Sequence, residues 1–181
     1  MMTHKKNKWN KGVLMGLSVA MIAMGLVFTV AVHSQSPSGR DCFCPYAKSA
    51  QYGGTGGKEF SDDLTQVRRI SRIIVRSGNY IDSIEVTYIL GAGNSVTVRH
   101  GGTGGTPITI DLKEGEYITQ IEGRAGDYIN QISFTTNKGT TFGPYGGTGG
   151  TPFRLGDLRT GGFFGRSGNY LDALGVFTAI N

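Results

Sequence analysis

The sequence predicts an all-β protein in which one structural unit of roughly 45 residues occurs three times. The first observation is a glycine pentapeptide, Gly-Gly-Thr-Gly-Gly, whose three copies begin at Gly53, Gly101 and Gly146. The second is a turn motif with Arg, Gly, Tyr and finally Asp or Asn at alternate positions, found at Arg76–Asp82, Arg124–Asn130 and Arg166–Asp172. The third is an alternation of apolar and polar residues between these motifs, which is typical of strands with one buried face.

The two motifs recur in step with each other. Successive glycine pentapeptides begin 48 and then 45 residues apart, and the acid or amide that ends the turn motif recurs after 48 and then 42 residues. The 130 residues from Tyr52 to Asn181, divided among three repeats, leave room for about four short strands in each repeat. We therefore expect three sheets that pack their apolar faces around a common axis, with their loops free to carry function.

Residues 1–34 predict export of the protein. Four lysines, the last of them Lys11, precede an uncharged run of 21 residues, 12–32, that is rich in Leu, Val, Met and Ala. A basic segment followed by an apolar one is typical of a signal peptide, and cleavage after Ser34 fits the small residues there. The alternative is an uncleaved membrane anchor, because about 20 apolar residues span a bilayer. In both cases the protein is expected to be secreted or held at the cell surface.

Residues 35–51 contain Ser, Pro and Gly without periodicity and are predicted to be a linker, so that the folded domain spans residues 52–181. The two cysteines of the sequence, Cys42 and Cys44, lie in this linker. Because a single intervening residue would strain a bond between them, we expect an intermolecular disulfide or free thiols. Acylation and binding of a soft metal are the open alternatives.

The basic charge of the chain resides mainly in its N-terminal segment. Four of the 18 Lys and Arg residues lie in residues 1–34, which contain no acid, and this leaves 14 basic against 13 acidic residues in the rest. The rest of the sequence has no basic run and no patch of bases interleaved with aromatic residues, so no nucleic-acid partner is expected.

Strands are predicted where apolar residues alternate with polar ones. In Ile81–Tyr88 the alternation places Ile84, Val86 and Tyr88 on one face. Further strands are predicted at Ser95–Arg99, Pro107–Leu112, Tyr117–Ile121, Ile129–Phe134 and Leu171–Phe177. Val67–Val75 is ambiguous, because its apolar spacing fits a helical turn, but the β-branched residues at its end favour a strand.

The repeated loops bring donors and acceptors together. Gly168 is expected to allow a tight turn with positive φ, which would aim the amides of Asn169 and Tyr170 outward, beside the carboxylate of Asp172. A glycine pentapeptide lets a ligand approach its backbone closely and offers further N–H groups. This combination suits a ligand rich in hydroxyl groups, each of which both donates and accepts. A single turn of this kind usually does no more than satisfy local geometry, but matched copies favour a binding function.

No catalytic machinery is expected. His100 is the one histidine outside residues 1–34, so a histidine metal site or a hydrolytic triad is hard to assemble. The first glycine loop lacks the pattern of a phosphate-binding loop, because Glu59 stands where Ser or Thr is required. Asp82 and Asp172 belong to different repeats and are expected to lie too far apart to act as a glycosidase pair.

The motifs, taken in order, resemble the jacalin-related lectins. Gly162–Phe177 is similar to the C-terminal signature of that family, and His100–Pro107, Leu112–Ile118 and Gly143–Phe153 are similar to its mannose-binding branch. The resemblance implies a β-prism I fold, with three four-stranded antiparallel sheets related by pseudo-threefold symmetry. It also implies metal-independent binding of mannose- or glucose-containing glycans, no cofactor, no enzyme activity and a homo-oligomeric state.

The resemblance further implies which residues hold the sugar. In the family, the acid of the turn accepts hydrogen bonds from two sugar hydroxyls, and amides of the turn and of a glycine loop donate. Carried over, the first site comprises Gly168, Asn169, Tyr170 and Asp172 with Gly57, and the second comprises Gly78, Asn79, Tyr80 and Asp82 with Gly105. By pseudo-symmetry, a third site comprises Asp127, Tyr128 and Asn130 with Gly150. Because Asn130 replaces the acid and charge-assisted bonds are lost, the third site is expected to be weak or silent, although its glycine loop is complete.

Two other functions are compatible with the sequence. One is a structural or partner-docking β-prism whose loops no longer bind sugar, and the other is the targeting module of a toxin or enzyme. The presence of both Asp82 and Asp172 favours sugar binding over docking. Targeting would need a second domain, for which we expect no room in the chain.

Overall fold

The computed structural model describes residues 45–180, and this range folds into strands, turns and irregular connections. The strands of this range, all paired in antiparallel fashion, number thirteen. They are β1 (Tyr46–Lys48), β2 (Tyr52–Gly53), β3 (Lys58–Ser61), β4 (Val67–Ser77), β5 (Ile81–Leu90), β6 (Ser95–Gly101), β7 (Thr106–Asp111), β8 (Ile118–Ala125), β9 (Ile129–Thr136), β10 (Thr141–Gly146), β11 (Thr151–Leu155), β12 (Thr160–Ser167) and β13 (Leu171–Ala179).

The strands form three sheets with matching orders. One sheet has the order β6-β5-β4-β7 and another has the order β10-β9-β8-β11. In the third sheet, β13 and β12 occupy the centre, β3 lies at one edge, and β1 and β2 share the other. The two short strands pair with successive parts of β13, so that together they fill one strand position. The predicted all-β fold with three four-stranded antiparallel sheets is therefore confirmed.

The apolar faces of the sheets meet in one hydrophobic core. Ile84 and Val86 of β5 are completely buried and Tyr88 is nearly so, which confirms the alternation predicted for this strand. The ambiguous segment is a strand, β4, as its β-branched residues favoured, and it buries Ile73 and Val75. The other two sheets contribute completely buried side chains from their central strands, namely Ile121, Ile132, Phe134, Phe163, Leu174 and Val176.

Strand β12 was missed by the sequence pattern because glycines interrupt its apolar residues. These glycines stand where backbone or side chains approach too closely for a side chain. A β-carbon on Gly162 would lie 2.6 Å from Cδ2 of Leu64, and one on Gly165 would collide with the carbonyl oxygen of Ala173. Glycine inside a strand often marks such a close approach rather than a turn.

The sheet structure begins earlier than the predicted domain boundary. Tyr46–Lys48, which the sequence assigns to the linker, pairs with residues 177–179 of β13. No helix within residues 45–180 has the length and apolar character to cross a membrane. The predicted leader or anchor at residues 1–34 and the two cysteines, Cys42 and Cys44, lie outside the described residues.

Candidate functional site

Three hairpin turns, at residues 78–80, 126–128 and 168–170, join the central strands of the three sheets. The strand register shifts just before each turn, at Arg76/Ser77, Arg124/Ala125 and Arg166/Ser167. A bulge of this kind bends the strand and re-aims the residues that follow. The first residue of each turn then donates its amide to the carbonyl of the turn's tyrosine, as Gly168 does to Tyr170 at 2.9 Å.

The carboxylate of Asp172 lies directly against the first glycine pentapeptide. A β-carbon on Gly56 would collide with Oδ1 of Asp172, and a β-carbon on Gly57 would lie 2.5 Å from Oδ2. Gly57 also has a φ of +59°, which side-chain-bearing residues rarely adopt. The loop therefore has to be glycine at both positions for the carboxylate and the backbone to share this space.

The second copy has the same geometry. Asp82 lies against Gly104 and Gly105, and a β-carbon on Gly105 would again be 2.5 Å from Oδ2 of the acid. Asp82 and Asp172 are only 8% and 4% exposed, respectively. The structure thus brings together the turn and loop residues that the resemblance implies for the first two sites, while their role in binding stays a prediction.

The third copy retains the arrangement with an amide in place of the acid. A β-carbon on Gly149 would lie 3.0 Å from Nδ2 of Asn130, and one on Gly150 would lie 2.7 Å from Oδ1. Asn130 is 9% exposed, so it is buried to the same degree as the two acids. The backbone of this site therefore matches the others, and the difference is the chemistry of one side chain.

The three side chains that end the turn motifs lack protein partners. Within residues 45–180, the side-chain oxygens of Asp82, Asn130 and Asp172 accept no hydrogen bond, and Oδ2 of Asp172 is fully enclosed. Buried polar groups in proteins are nearly always hydrogen-bonded. Oδ2 of Asp172 is such an exception, and Asp82 and Asn130 occupy the equivalent positions beside the other two glycine loops. This repeated arrangement indicates a site whose partner groups come from a ligand.

The predicted positive φ at Gly168 is wrong. The glycines with positive φ in this region are those of the pentapeptide loops, Gly57 among them, and not those of the turns. The bend is produced by the β-bulge at Arg166/Ser167, and not by a positive φ at Gly168. A β-carbon on Gly168 would point into the gap between turn and loop, 3.6 Å from Cα of Gly57 and 3.7 Å from Oδ2 of Asp172. Glycine at this position keeps that gap open.

One arginine in each repeat holds the glycine loop, and the sequence reasoning assigned it no role. Arg166 donates to the carbonyls of Gly56 at 2.7 Å and Gly57 at 3.0 Å. Arg124 donates in the same way to Gly149 and Gly150, at 3.1 and 2.7 Å.

The remaining copy, Arg76, reaches three carbonyls of its loop, those of Thr103, Gly104 and Gly105, at 3.0–3.1 Å. A guanidinium group presents several N–H donors in a rigid planar fork, which suits adjacent carbonyls. By fixing the carbonyls on one side of the loop, each arginine restricts the orientation of the loop amides. The signal for this role was present in the sequence, because arginine begins all three copies of the turn motif.

The three sites adjoin one another at one end of the domain, which we call the apex. The second glycine of each pentapeptide lies against the turn of a neighbouring site: Gly54 against Asp127, Gly102 against Asn169 and Gly147 against Asn79. The tyrosines of the turns pack together, with ring centroids 5.3 Å apart for Tyr80 and Tyr128, 5.5 Å for Tyr80 and Tyr170, and 5.0 Å for Tyr128 and Tyr170. The sites therefore surround a common aromatic centre.

A buried polar cluster lies next to the start of the second glycine loop. Asp62 accepts hydrogen bonds from the hydroxyl of Tyr88 and, at 2.9 Å, from the amide of Phe163, and its Oδ1 lies 2.7 Å from Nε2 of His100. Burial, together with the adjacent carboxylate of Asp62, raises the pKa of Tyr88 far above the ordinary tyrosine value. His100, stacked on Phe60 at 3.7 Å, directly precedes the loop that begins at Gly101.

Residues 45–180 contain no group of three His, Cys, Asp or Glu side chains placed to share a metal ion. The groups that the site offers are acceptors on the acids and the amide, and backbone N–H groups of the turns and loops.

Comparison with known proteins identifies the domain. The family model for the Jacalin-like lectin domain matches residues 49–177. Griffithsin from Griffithsia sp. (strain Q66D336) is 41% identical to the chain over 127 residues, which are 70% of this chain and 93% of griffithsin.

Solved structures agree in fold and sequence. Malaysian banana lectin superposes with a TM-score of 0.69 at 38% identity, over 76% of this chain and 100% of the lectin chain. AcmJRL, a mannose-binding jacalin-related lectin from Ananas comosus, superposes with a TM-score of 0.69 at 30% identity, over 75% of this chain and 99% of its own.

Proposed function

The chain belongs to the jacalin-like lectin family, and we propose that its apex binds mannose- or glucose-type glycans through the turns that end in Asp82 and Asp172. The observation that carries the proposal is the pair of buried carboxylates without protein partners, each set against side-chain-free backbone. The mannose-binding relative from Ananas comosus supports the choice of sugar.

A hexose fits this arrangement because its adjacent hydroxyls both donate and accept. Two neighbouring hydroxyls would donate to the oxygens of Asp172, and the amides of Asn169, Tyr170 and Gly57 would donate to the sugar oxygens. Hydrogen bonds to a carboxylate are stronger than those between neutral groups. An epimer that misplaced one hydroxyl would leave a buried partner unpaired, at a cost of about 1–3 kcal/mol. The site thus selects stereochemistry with direct hydrogen bonds and without a metal ion.

The third site is proposed to bind more weakly than the other two. Its backbone is arranged as in the other copies, but Asn130 offers one acceptor oxygen and no charge. The Nδ2 group of Asn130 faces Gly149, where the acids of the other copies present an oxygen. A sugar hydroxyl bound in the same position would face the Nδ2 donor of Asn130. It would have to reorient so that its oxygen accepts a hydrogen bond from that group.

Adjacent sites favour branched glycans over single sugars. One shallow sugar site binds weakly, because few contacts offset the lost freedom of the ligand. Since the sites adjoin one another around Tyr80, Tyr128 and Tyr170, two arms of one branched glycan are placed to bind at once. Binding the second arm is then effectively intramolecular, and overall affinity rises by about 10²-fold or more.

A glycan array and calorimetry with methyl mannoside test the proposal. The wild-type chain is expected to bind mannosides, and the double variant Asp82→Ala/Asp172→Ala is expected to lose this binding. Asp111→Ala is the matched control, because Asp111 is an exposed acid that pairs with Arg72 elsewhere on the surface. Equal binding by wild type and double variant would place the sugar elsewhere. Absence of binding to any glycan would favour a partner-docking β-prism.

We also propose that residues 1–34 direct export, so that the lectin acts outside the cell or at its surface. The basic and apolar segments of the sequence support this proposal. Mass spectrometry of the N-terminus of the expressed protein tests it, since a mature chain that begins at Gln35 indicates cleavage. An intact N-terminus in the membrane fraction indicates an anchor, and an intact chain in the cytosol contradicts export.

A further inference from the structure

A cavity of about 430 Å³ lies at the end of the domain opposite the apex. Its walls include Val67, Ile118 and Thr160, which are the first residues of β4, β8 and β12, so it opens where the three sheets converge. We call it the base cavity. Pockets that hold small organic ligands usually measure about 300–1,000 Å³. The base cavity is therefore large enough for a ligand of its own, far from the turns that end in Asp82 and Asp172.

Three arginines line the base cavity: Arg68, Arg69 and Arg159. None of them forms an ion pair with another residue of the described range, although several other arginines of the domain do. The guanidinium of Arg69 donates to the carbonyl of Leu112 at 3.2 Å, and that of Arg159 lies 5.2 Å from the ring centroid of Tyr117. Two of the three cations are thus held in place without being neutralised.

The acids of the cavity offset only part of this charge. Glu116 is buried and already accepts hydrogen bonds from the hydroxyl of Thr136 at 2.9 Å and the amide of Lys113 at 3.1 Å. Glu114 is exposed and pairs with none of the arginines. The cavity therefore has three cations against two acids, with no ion pair between them, and it favours an anionic ligand.

Thr160 supplies a second and independent indication of a ligand. It lines the cavity, is only 6% exposed, and its hydroxyl has no hydrogen-bond partner among residues 45–180. Buried hydroxyls normally have a partner. A ligand oxygen that presses against this part of the cavity wall would supply the missing acceptor.

We propose that the base cavity binds a phosphate group carried on a small organic body. Guanidinium groups recognise phosphate through paired N–H donors, and the hydroxyl of Thr160 adds a neutral donor. The apolar walls, which include Val67, Ile70 and Ile89, suit the carbon portion of such a ligand. This binding does not depend on sugar recognition at the apex, because the two sites share no residue.

Such a phosphate occurs both on lipid headgroups and on free organophosphates, which share the same charged oxygens on a carbon body. The base cavity fits this shared chemistry, and the experiments below distinguish the two sources.

Calorimetry with glycerol 3-phosphate and the full chain in detergent tests the site, with glycerol as the uncharged probe. Wild type is expected to bind glycerol 3-phosphate saturably, and Arg68→Gln/Arg159→Gln and Thr160→Val are each expected to weaken it by about tenfold or more. Arg154→Gln is the control, because Arg154 lies on the outer surface beside Glu122. No binding by wild type, or equal binding by all variants, overturns the proposal. Thr160→Val keeps the test valid if the double variant fails to fold, because it removes only an unpartnered hydroxyl.

Hydrogen exchange on vesicles separates the two sources of phosphate. The full chain is bound to phosphatidylcholine vesicles with and without phosphatidylglycerol, and exchange is measured at residues 67–70 and 112–117. Protection that requires phosphatidylglycerol and disappears in Thr160→Val supports a lipid headgroup. Binding of glycerol 3-phosphate without such protection supports a free organophosphate and overturns the lipid source.

Discussion

Oδ2 of Asp172 lies 2.5 Å from the position that a β-carbon on Gly57 would occupy, although the two residues come from opposite ends of the domain. The acid and the loop therefore depend on each other. The carboxylate can be placed only where the backbone has no side chain. The loop in turn needs glycine because of the carboxylate, the nearby backbone of Ser167 and the positive φ of Gly57. The same relationship holds for Asp82 and Gly105.

Gly57→Ala is expected to abolish sugar binding at the first site, because the added methyl group would overlap Asp172 and the backbone of Ser167 and would strain a φ of +59°. The change is best made in an Asp82→Ala background, which leaves the first site as the main site. Calorimetry with methyl mannoside should then show at least about tenfold weaker binding. Gly93→Ala is the control, because Gly93 has a φ of +85° but no atom within 4 Å of the added methyl group. Equal losses in both variants would mean that a general loss of stability, and not a change at the first site, explains the effect.

Asn130→Asp is expected to create a stronger third site, since the loop at Gly149 and Gly150 is already in place. A carboxylate would restore two charge-assisted hydrogen bonds to the sugar and raise affinity at this site by about tenfold. The number of mannosides bound per chain, measured by calorimetry, should increase. Asn94→Asp, in an exposed turn away from the apex, adds the same charge and should leave binding unchanged. If neither variant binds more mannoside than the wild type, a missing carboxylate is not the only reason for weak binding at the third site.

Arg166→Met is expected to weaken sugar binding at the first site without unfolding the domain. The variant keeps most of the side chain's length but loses the donors that hold the carbonyls of Gly56 and Gly57. In the Asp82→Ala background we expect about tenfold weaker mannoside binding and faster hydrogen exchange in residues 53–57. Arg166→Lys should restore part of the affinity. Arg154→Met, on the outer surface, should change neither measurement; unchanged exchange in the Arg166→Met loop would contradict the positioning role.

Stability is expected to fall as the pH rises above about 10, the ordinary pKa of tyrosine. In the folded state burial and Asp62 raise the pKa of Tyr88, so the unfolded chain loses this proton at a pH where the folded chain keeps it. Ionisation then favours the unfolded state, and the free energy of unfolding decreases with pH. Below this range both states are protonated at Tyr88, which contributes no pH dependence.

Tyr88→Phe separates this contribution from the other groups. At neutral pH the variant should be less stable by about 1–3 kcal/mol, because a hydrogen bond to a charged group is lost. In urea titrations its free energy of unfolding should decrease less steeply with pH above about 10 than that of the wild type. Tyr117→Phe is the control, because Tyr117 is only partly buried. If the free energy of unfolding decreases equally steeply with pH in Tyr88→Phe and in wild type, another group causes the loss of stability at alkaline pH.

Local patterns in the sequence were sufficient for the fold class. Alternation in Ile81–Tyr88 encodes a strand with one buried face, and this information lies within a few neighbouring residues. The matching periods of the glycine and turn motifs encode the threefold repeat. Family resemblance, and not periodicity, supplied the pairing of Asp172 with Gly57.

Three-dimensional packing was needed for features that depend on contacts between distant segments. Strand β12 escaped prediction because its glycines are explained by Leu64 and Ala173, which approach it from other parts of the chain. The bend before Gly168 comes from a register shift between β12 and β13, and register depends on the whole sheet. Likewise, Arg166 beside Gly56 and the three arginines around the base cavity are recognisable only once the sheets are assembled. Spacing along the chain carries the period of a strand, but which side chains meet across sheets follows from register and packing.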